Sequence, residues 1–203
     1  MEWITAALAA FALIVPVELP DKTFVATLVL ATRYKPLPVW IGVTLAFGGQ
    51  CLVAVAIGRA ISLLPRGPVQ IAAALLFVIG AIVLFWGARK VDSQVDEEEQ
   101  KYEQKVKSGR TGWRAALASF LVLFLAEWGD LSQLLTASLV AAGRPAVPVF
   151  VGSWLGLTLV AGAGVLLGRV LLRHIRLSII RYVGAGVCAV LAGITAIAAL
   201  QSA

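Results

Sequence analysis

Six long apolar stretches constrain the fold of this chain more than any other feature of its sequence. Allowing for a short acidic motif within the first and the fourth, each stretch reaches about 18 residues or more, the length that a helix needs to cross a bilayer. The chain is 60% hydrophobic and only 14% charged, which is unlike a soluble domain. We therefore predict an all-α integral membrane protein with six transmembrane helices, at 3–32, 38–62, 69–89, 114–142, 148–171 and 178–200.

The basic residues are divided very unevenly between the two sides that six spans would create. Thirteen Lys and Arg residues lie in or beside three segments on one side: 33–37, 90–113 and 169–181. The other side has three: Arg59, Arg66 and Arg144. Because cytoplasmic loops carry the excess of Lys and Arg, we expect the first side to be cytoplasmic and both termini to lie outside. The membrane would be the inner or plasma membrane if the protein is bacterial, and no nucleic-acid partner is expected.

Two short acidic motifs interrupt the first and the fourth apolar stretches. One reads ELPDKT and begins at Glu18; the other reads EWGDLS and begins at Glu127, 109 residues later. An ionised side chain at the centre of a bilayer costs ~2.5–3.5 kcal/mol on insertion scales. Four carboxylates at such positions therefore indicate a functional site within the membrane.

The two halves of the chain repeat one another around these motifs. After a shift of one residue, Pro38 and Gly42 also match Pro148 and Gly152. Because each half has three spans, an odd number, the second half would enter the membrane from the opposite side and form an inverted repeat. We predict three parts: a first three-helix repeat at 1–89, a charged cytoplasmic linker at 90–113 and a second three-helix repeat at 114–203.

Both motif-bearing stretches are too long to cross the membrane as straight helices. Each has about 30 residues, and at 1.5 Å per residue this exceeds a hydrocarbon core of ~30 Å. Pro20 lacks a backbone donor and biases Leu19 away from helix. Gly129 stands at the equivalent place in the second motif. We therefore predict a helix break at each motif, as in the discontinuous helices of secondary transporters.

The spacing of the motif acids favours a metal site. Residues three apart share a helix face, so each motif pairs two carboxylates. The candidate metal ligands are Glu18, Asp21, Glu127 and Asp130. Candidate auxiliary oxygen ligands are Thr23, Ser132 and Gln133, and weaker candidates in neighbouring spans are Gln50 and Ser153. Such oxygen ligands suit hard divalent cations such as Ca²⁺, Mn²⁺ and Mg²⁺. The only histidine, His174, is expected in a basic loop, which disfavours a zinc or copper site.

Several motif residues have a structural alternative. Lys22 can modulate the charge of the site, or it can neutralise Glu18, four residues earlier, as an ion pair. The second motif has Leu131 at this position, so the two motifs differ in charge. The motif hydroxyls can bond helix carbonyls instead of a metal; they belong to Thr23, Thr27, Ser132 and Thr136.

The four acids also predict a coupling to protons. Without a cation, four carboxylates in a low-dielectric environment cannot all remain ionised, so they would take up protons. A bound cation favours the ionised forms, and cation and protons therefore compete for one site. With access alternating between the two faces, this competition is the minimum requirement of a cation/proton antiporter. The transported cation and protons are the only ligands expected, with no cofactor.

On these motifs the chain resembles the family of Golgi-type calcium/manganese–proton exchangers, which includes bacterial manganese exporters of the MneA type. That family has two copies of Glu-x-Gly-Asp-(Lys/Arg)-(Ser/Thr), one in each three-helix half, and the resemblance covers nearly the whole chain. It implies that the same four acids bind the cation and that Thr23 and Ser132 are the motif hydroxyls. This sequence departs from the pattern at Pro20, where the family has Gly, and at Leu131, where it has a basic residue.

The leading hypothesis is thus a six-span exporter of Mn²⁺ or Ca²⁺ driven by protons, and not an enzyme. An acidic site would also suit an exporter of basic amino acids or other small cations. A passive cation channel is a further alternative, although deep paired acids favour tight binding over rapid passage. An intramembrane hydrolase with two aspartates is less favoured, because neither motif has the Gly-x-Gly-Asp of aspartyl intramembrane proteases.

Overall fold

The fold is known from a computed structural model, which describes residues 2–19, 22–88, 112–174 and 177–201 of the 203-residue chain. Within these ranges every regular element is an α-helix, as predicted. The eight helices are α1 (Glu2–Glu18), α2 (Lys22–Arg33), α3 (Pro36–Ile61), α4 (Arg66–Gly87), α5 (Trp113–Ala126), α6 (Leu131–Ala141), α7 (Ala146–His174) and α8 (Leu177–Gln201). Most of the predicted linker at 90–113 lies outside the described residues.

Four helices, α3, α4, α7 and α8, are long and apolar enough to cross a membrane. The other four form two bent pairs: the axes of α1 and α2 differ by 67°, and those of α5 and α6 by 70°. The described part of the chain therefore has four spans, or six if each bent pair counts as one. The multi-pass membrane class is confirmed, and so is the prediction that the helices are interrupted at both motifs.

Three helices begin two or three residues before the predicted spans; α7 begins at Ala146 rather than at 148. Helix α3 begins at Pro36 rather than at 38, and α4 begins at Arg66 rather than at 69. Both helices have prolines within their first turn, where the backbone N–H has no partner inside the helix. Proline therefore starts these helices instead of preceding them.

The halves of each bent pair pack on a long helix from the other end of the chain. Helices α1 and α2 pack on α7, whereas α5 and α6 pack on α3. Helix α4 packs extensively along α8. The outward-facing side chains on the long helices are apolar, for example Leu45, Leu52 and Val190, as expected where lipid replaces water as the solvent.

Two of these helix contacts bring backbone against backbone. A Cβ atom on Gly42 of α3 would overlap the carbonyl group of Ala116 in α5. In the same way, a Cβ atom on Gly152 of α7 would overlap the carbonyl group of Ala7 in α1. Small residues allow this close approach, which is a common way of packing helices in membranes. Both contacts fix a motif-bearing helix before it reaches its break.

Candidate functional site

The first break begins at Glu18, the last residue of α1. Its side chain is only 1% exposed, although no other acidic residue of α1 is buried. Pro20 and Asp21, which follow, lie outside the described residues, so the predicted role of Asp21 stays a prediction. Lys22 opens α2, but its side chain is also outside the described part, and the proposed pairing with Glu18 stays a prediction too.

Two threonines bury their hydroxyl groups on α2 after this break. The Thr27 hydroxyl donates to the backbone oxygen of Thr23 over 2.7 Å, so it bonds a helix carbonyl as the structural alternative predicts. The Thr23 hydroxyl is fully buried and has no hydrogen-bond partner among the described residues. A buried hydroxyl normally finds a partner, so Thr23 keeps an oxygen available for another ligand.

The second break is described in full. Glu127 caps the C-terminal end of α5 and is 3% exposed, and its backbone N–H donates to Leu123 over 3.0 Å. Gly129 then turns the chain with a φ of +78°, a conformation that glycine adopts without strain. Asp130 follows as the N-cap of α6, and its carboxylate accepts a long hydrogen bond, 3.5 Å, from the Ser132 backbone N–H. Aspartate is among the best N-cap residues, which explains why α6 begins here.

Helix α3 passes beside the second break. The side-chain amide of Gln50 donates to two backbone oxygens in the last turn of α5, Leu123 over 3.4 Å and Phe124 over 3.2 Å. The next residue, Cys51, is buried. One turn of α3 is therefore close to the end of α5, which carries the buried Glu127.

Polar side chains on α6 continue the site. The Gln133 side chain accepts the Gly129 N–H over 2.8 Å and donates to the backbone oxygen of Gln50 over 3.4 Å. One turn further, the Thr136 hydroxyl bonds the Ser153 hydroxyl of α7 over 3.2 Å, and both residues are buried. Ser132, at the start of α6, is also buried.

Trp128 lies at the surface of this region. It is 58% exposed, and its ring packs against Phe124 with centroids 5.2 Å apart. It is therefore next to Glu127 in sequence but points away from the interior.

The described residues thus place two of the four acids, Glu18 and Glu127, in the interior at the ends of half-helices. Asp130 is partly buried at the start of α6. No group of three or more acidic, histidine or cysteine side chains forms a metal site within the described part of the chain, which does not include Asp21. Sequence reasoning missed the hydrogen bonds from Gln50 to α5; an amide in an apolar span is the signal that could have found them.

A helical membrane protein with two interrupted helices and buried carboxylates at the interruptions has the architecture of an ion-coupled transporter. Sequence comparison is specific: the chain belongs to the family described as the divalent cation/proton antiporter GDT1, whose sequence profile matches residues 6–92 and 115–203. The resemblance noted from the motifs is therefore confirmed, and the chain belongs to a family of cation transporters rather than to a catalytic family.

Several curated proteins are similar over most of this chain. A GDT1-like protein from Synechocystis is 34% identical over 174 residues, which cover 82% of this chain and 84% of that protein. GDT1-like protein 3 from Arabidopsis thaliana is 29% identical, covering 87% of this chain and 65% of its own length. The chloroplastic GDT1-like protein 1 from Oryza sativa subsp. indica is 29% identical over 96% of this chain and 62% of its own length. No solved structure matches the chain.

Proposed function

We propose that this chain is a six-span secondary transporter that exports Mn²⁺, Ca²⁺ or both in exchange for protons. The observation that carries the proposal is that Glu18 and Glu127, both buried, each end a half-helix at one of the two helix breaks. Membership of a divalent cation/proton antiporter family supports the cation and the exchange.

The proposed cation site consists of the four motif acids and the hydroxyl groups of Thr23 and Ser132. Two or more carboxylates offset the loss of hydration of a doubly charged ion, and hard cations favour oxygen ligands. The carbonyl ends of α1 and α5 carry partial negative charge, which adds to the attraction for a cation. Lys22 and Leu131 make the two motifs unequal in charge, so Lys22 would modulate the affinity of the first motif.

The exchange would follow from competition at this site. In the absence of metal, the acids share protons, and these protons titrate as a coupled set. Binding of the metal releases them, because the ligands must be ionised. If the metal and the protons leave on opposite faces, the inward movement of protons drives the export of metal.

An inverted repeat would allow the cation site to open to either face of the membrane. We assign the first three-helix repeat to 1–89, the linker to 90–113 and the second repeat to 114–203. The backbone contacts of Gly42 with Ala116 and of Gly152 with Ala7 support this division, because their partners stand at matching positions of the two halves. Each half also has one bent helix pair, with similar angles.

Flux measurements on proteoliposomes test the proposed exchange. Vesicles with wild-type protein should show proton movement when a gradient of Mn²⁺ or Ca²⁺ is imposed, as reported by an internal pH dye. The Glu127→Gln variant should lose this movement, since the side chain keeps its shape but not its charge. The matched control is Glu2→Gln, which changes an exposed carboxylate at the start of α1.

The proposal fails if Glu127→Gln exchanges as fast as the wild type. Metal flux without proton movement would identify a channel instead, and proton movement driven by a basic amino acid but by neither metal would identify the alternative exporter.

The proposed orientation places the linker in the cytoplasm and the termini outside. Because Cys51 and Cys188 are both buried, single added cysteines can report accessibility in intact cells. A membrane-impermeant maleimide should label Glu2→Cys, which precedes the first span and is exposed, in intact cells, and Ser93→Cys only after the cells are broken. The reverse pattern would invert the orientation.

A further inference from the structure

We propose that Gln50 and Gln133 are positioning residues of the second break, and that Gln133 holds the backbone around Glu127 and Asp130 rather than binding the cation. This inference rests on the proposed function, because it concerns the geometry of the same cation site. It assigns the two amides a role distinct from that of the four acids.

Gln50 fixes the chain before the break. The last carbonyl groups of a helix have no partner within the helix and need donors from elsewhere. The Gln50 amide nitrogen supplies such a donor to Phe124, in the last turn of α5, and it also donates to the Leu123 oxygen, which already accepts the Glu127 N–H. Gln50 is only 5% exposed, so water does not compete strongly for these hydrogen bonds. The end of α5, where Glu127 is located, is therefore held against α3.

Gln133 fixes the chain after the break. Its amide oxygen accepts the backbone N–H of Gly129, and its amide nitrogen donates to the backbone oxygen of Gln50. If the amide were turned over, its NH₂ group would face the Gly129 N–H and its oxygen would face the Gln50 carbonyl oxygen. Neither pair can form a hydrogen bond, so these two partners determine the orientation of the amide. The one Gln133 atom able to bind a cation is therefore already directed at Gly129.

The two amides act on both sides of one short segment. Glu127 lies between Phe124 and Gly129, which the two amides bond, and Asp130 lies between Gly129 and Gln133 itself. The Gln133 amide in turn donates to the backbone of Gln50 on α3. The distance between the two carboxylates of the second motif is thus controlled from α3. At the positions that match Gln133 and Gln50 in the opposite half of the chain, 109 and 110 residues away, stand Phe24 and Val160, which cannot make these hydrogen bonds.

The substitution Gln133→Glu separates a positioning role from a ligand role. The glutamate side chain keeps the size of glutamine and can still accept the Gly129 N–H, but it cannot donate to the Gln50 carbonyl. If Gln133 bound the cation, an added carboxylate would lower the KM for metal. If Gln133 positions the break, Gln133→Glu should raise the KM for Mn²⁺ and Ca²⁺ by about three- to tenfold, the loss expected for one hydrogen bond.

The experiment measures KM and maximal exchange rate in proteoliposomes for Gln133→Glu, Gln133→Met, Gln50→Met and the Gln50→Met/Gln133→Met double variant. We expect KM to rise while the maximal rate per folded protein is largely kept. The KM of the double variant should rise by less than the product of the two fold-increases seen in the single variants, because both residues act on one segment. General destabilisation would instead lower the amount of active protein and leave KM unchanged.

The Glu127→Gln variant, measured in parallel, separates this inference from the proposed function. If Glu127→Gln retains exchange, the proposed function fails. If Glu127→Gln abolishes exchange while Gln133→Glu leaves KM unchanged or lowers it, the proposed function stands and the positioning role is wrong.

Discussion

The backbone carbonyl of Ala116 lies so close to Gly42 that no side chain fits between α5 and α3. The contact of Ala7 with Gly152 repeats this relationship between α1 and α7. Each motif-bearing helix is thus anchored, before its break, to a helix of the other half of the chain. The carboxylates at the breaks are therefore positioned by contacts between the halves, and a change at either glycine should reach the site.

We expect Gly42→Ala and Gly152→Ala each to destabilise the protein by about 1–3 kcal/mol, the usual cost of overpacking. The added methyl group meets backbone, which cannot move aside as a flexible side chain can. Gly186→Ala is the matched control, since its Cβ meets nothing within 4 Å and alanine favours a helix. Thermal unfolding in detergent measures the effect; equal stability of Gly42→Ala and Gly186→Ala would contradict the close contact.

A second prediction concerns Arg181, which is 8% exposed at the start of α8. Its guanidinium donates to the backbone oxygen of Gly87, at the end of α4, over 2.9 Å. A cation is favoured there, because the C-terminal end of a helix carries partial negative charge. Arg181→Met should therefore lower stability by about 1.5–3 kcal/mol, the range for a hydrogen bond to a charged group.

Arg66→Met is the control for this change, since Arg66 is exposed at the start of α4. Thermal unfolding again gives the measurement. A loss of stability no greater than that of the control would show that the hydrogen bond to Gly87 contributes little.

Much of this architecture could be predicted from the sequence, because each apolar stretch constrains its own secondary structure independently of the other stretches. Long apolar stretches must become helices in a membrane, because their backbone groups find no water. The excess length of two stretches, with Pro20 and Gly129, indicated the breaks, and the glutamates at these breaks, Glu18 and Glu127, are buried at half-helix ends. The bounds of α3 and α4 were less accurate, since proline can belong to the first turn as well as precede it.

Contacts between distant parts of the chain could not be predicted in this way. The sequence marks Gln50 and Gln133 as polar residues in apolar segments, but only the packing of α3 against α5 and α6 determines what their amides contact. The close approach at Gly42 likewise depends on which helix lies opposite. Motif spacing gives the chemistry of a site, and tertiary packing gives its geometry.

The N-cap role of Asp130 allows its charge to be separated from its structural contribution. Asparagine is as good an N-cap as aspartate, whereas alanine is much poorer. Asp130→Asn should therefore keep the stability of the protein and lose metal-driven proton movement. Asp130→Ala should lose both, with a cost of about 1 kcal/mol in stability. Equal exchange by Asp130→Asn and wild type would exclude the carboxylate from the cation site.

Trp128 offers an optical test of metal binding at the second break. Its indole follows Glu127 directly and packs on Phe124, within the segment that the cation would order. Addition of Mn²⁺ should change the tryptophan fluorescence of the wild type, and Trp128→Phe should remove most of that change. Trp86→Phe, which alters another exposed tryptophan near the end of α4, should retain it. A signal that is lost in Trp86→Phe and kept in Trp128→Phe would place the cation elsewhere.

Competition between protons and metal predicts how the exchange depends on pH. As the pH falls, more of the site carboxylates carry a proton, and metal must displace it to bind. The KM for Mn²⁺ and Ca²⁺ on the side where the pH is lowered should therefore rise, and saturating metal should restore the rate. Glu127→Asp is the informative variant, because it keeps the charge but withdraws the carboxylate by one methylene group. It should raise KM at every pH while retaining the same direction of pH dependence. A rate that falls at low pH and is not restored by metal would show that the protons act outside the cation site.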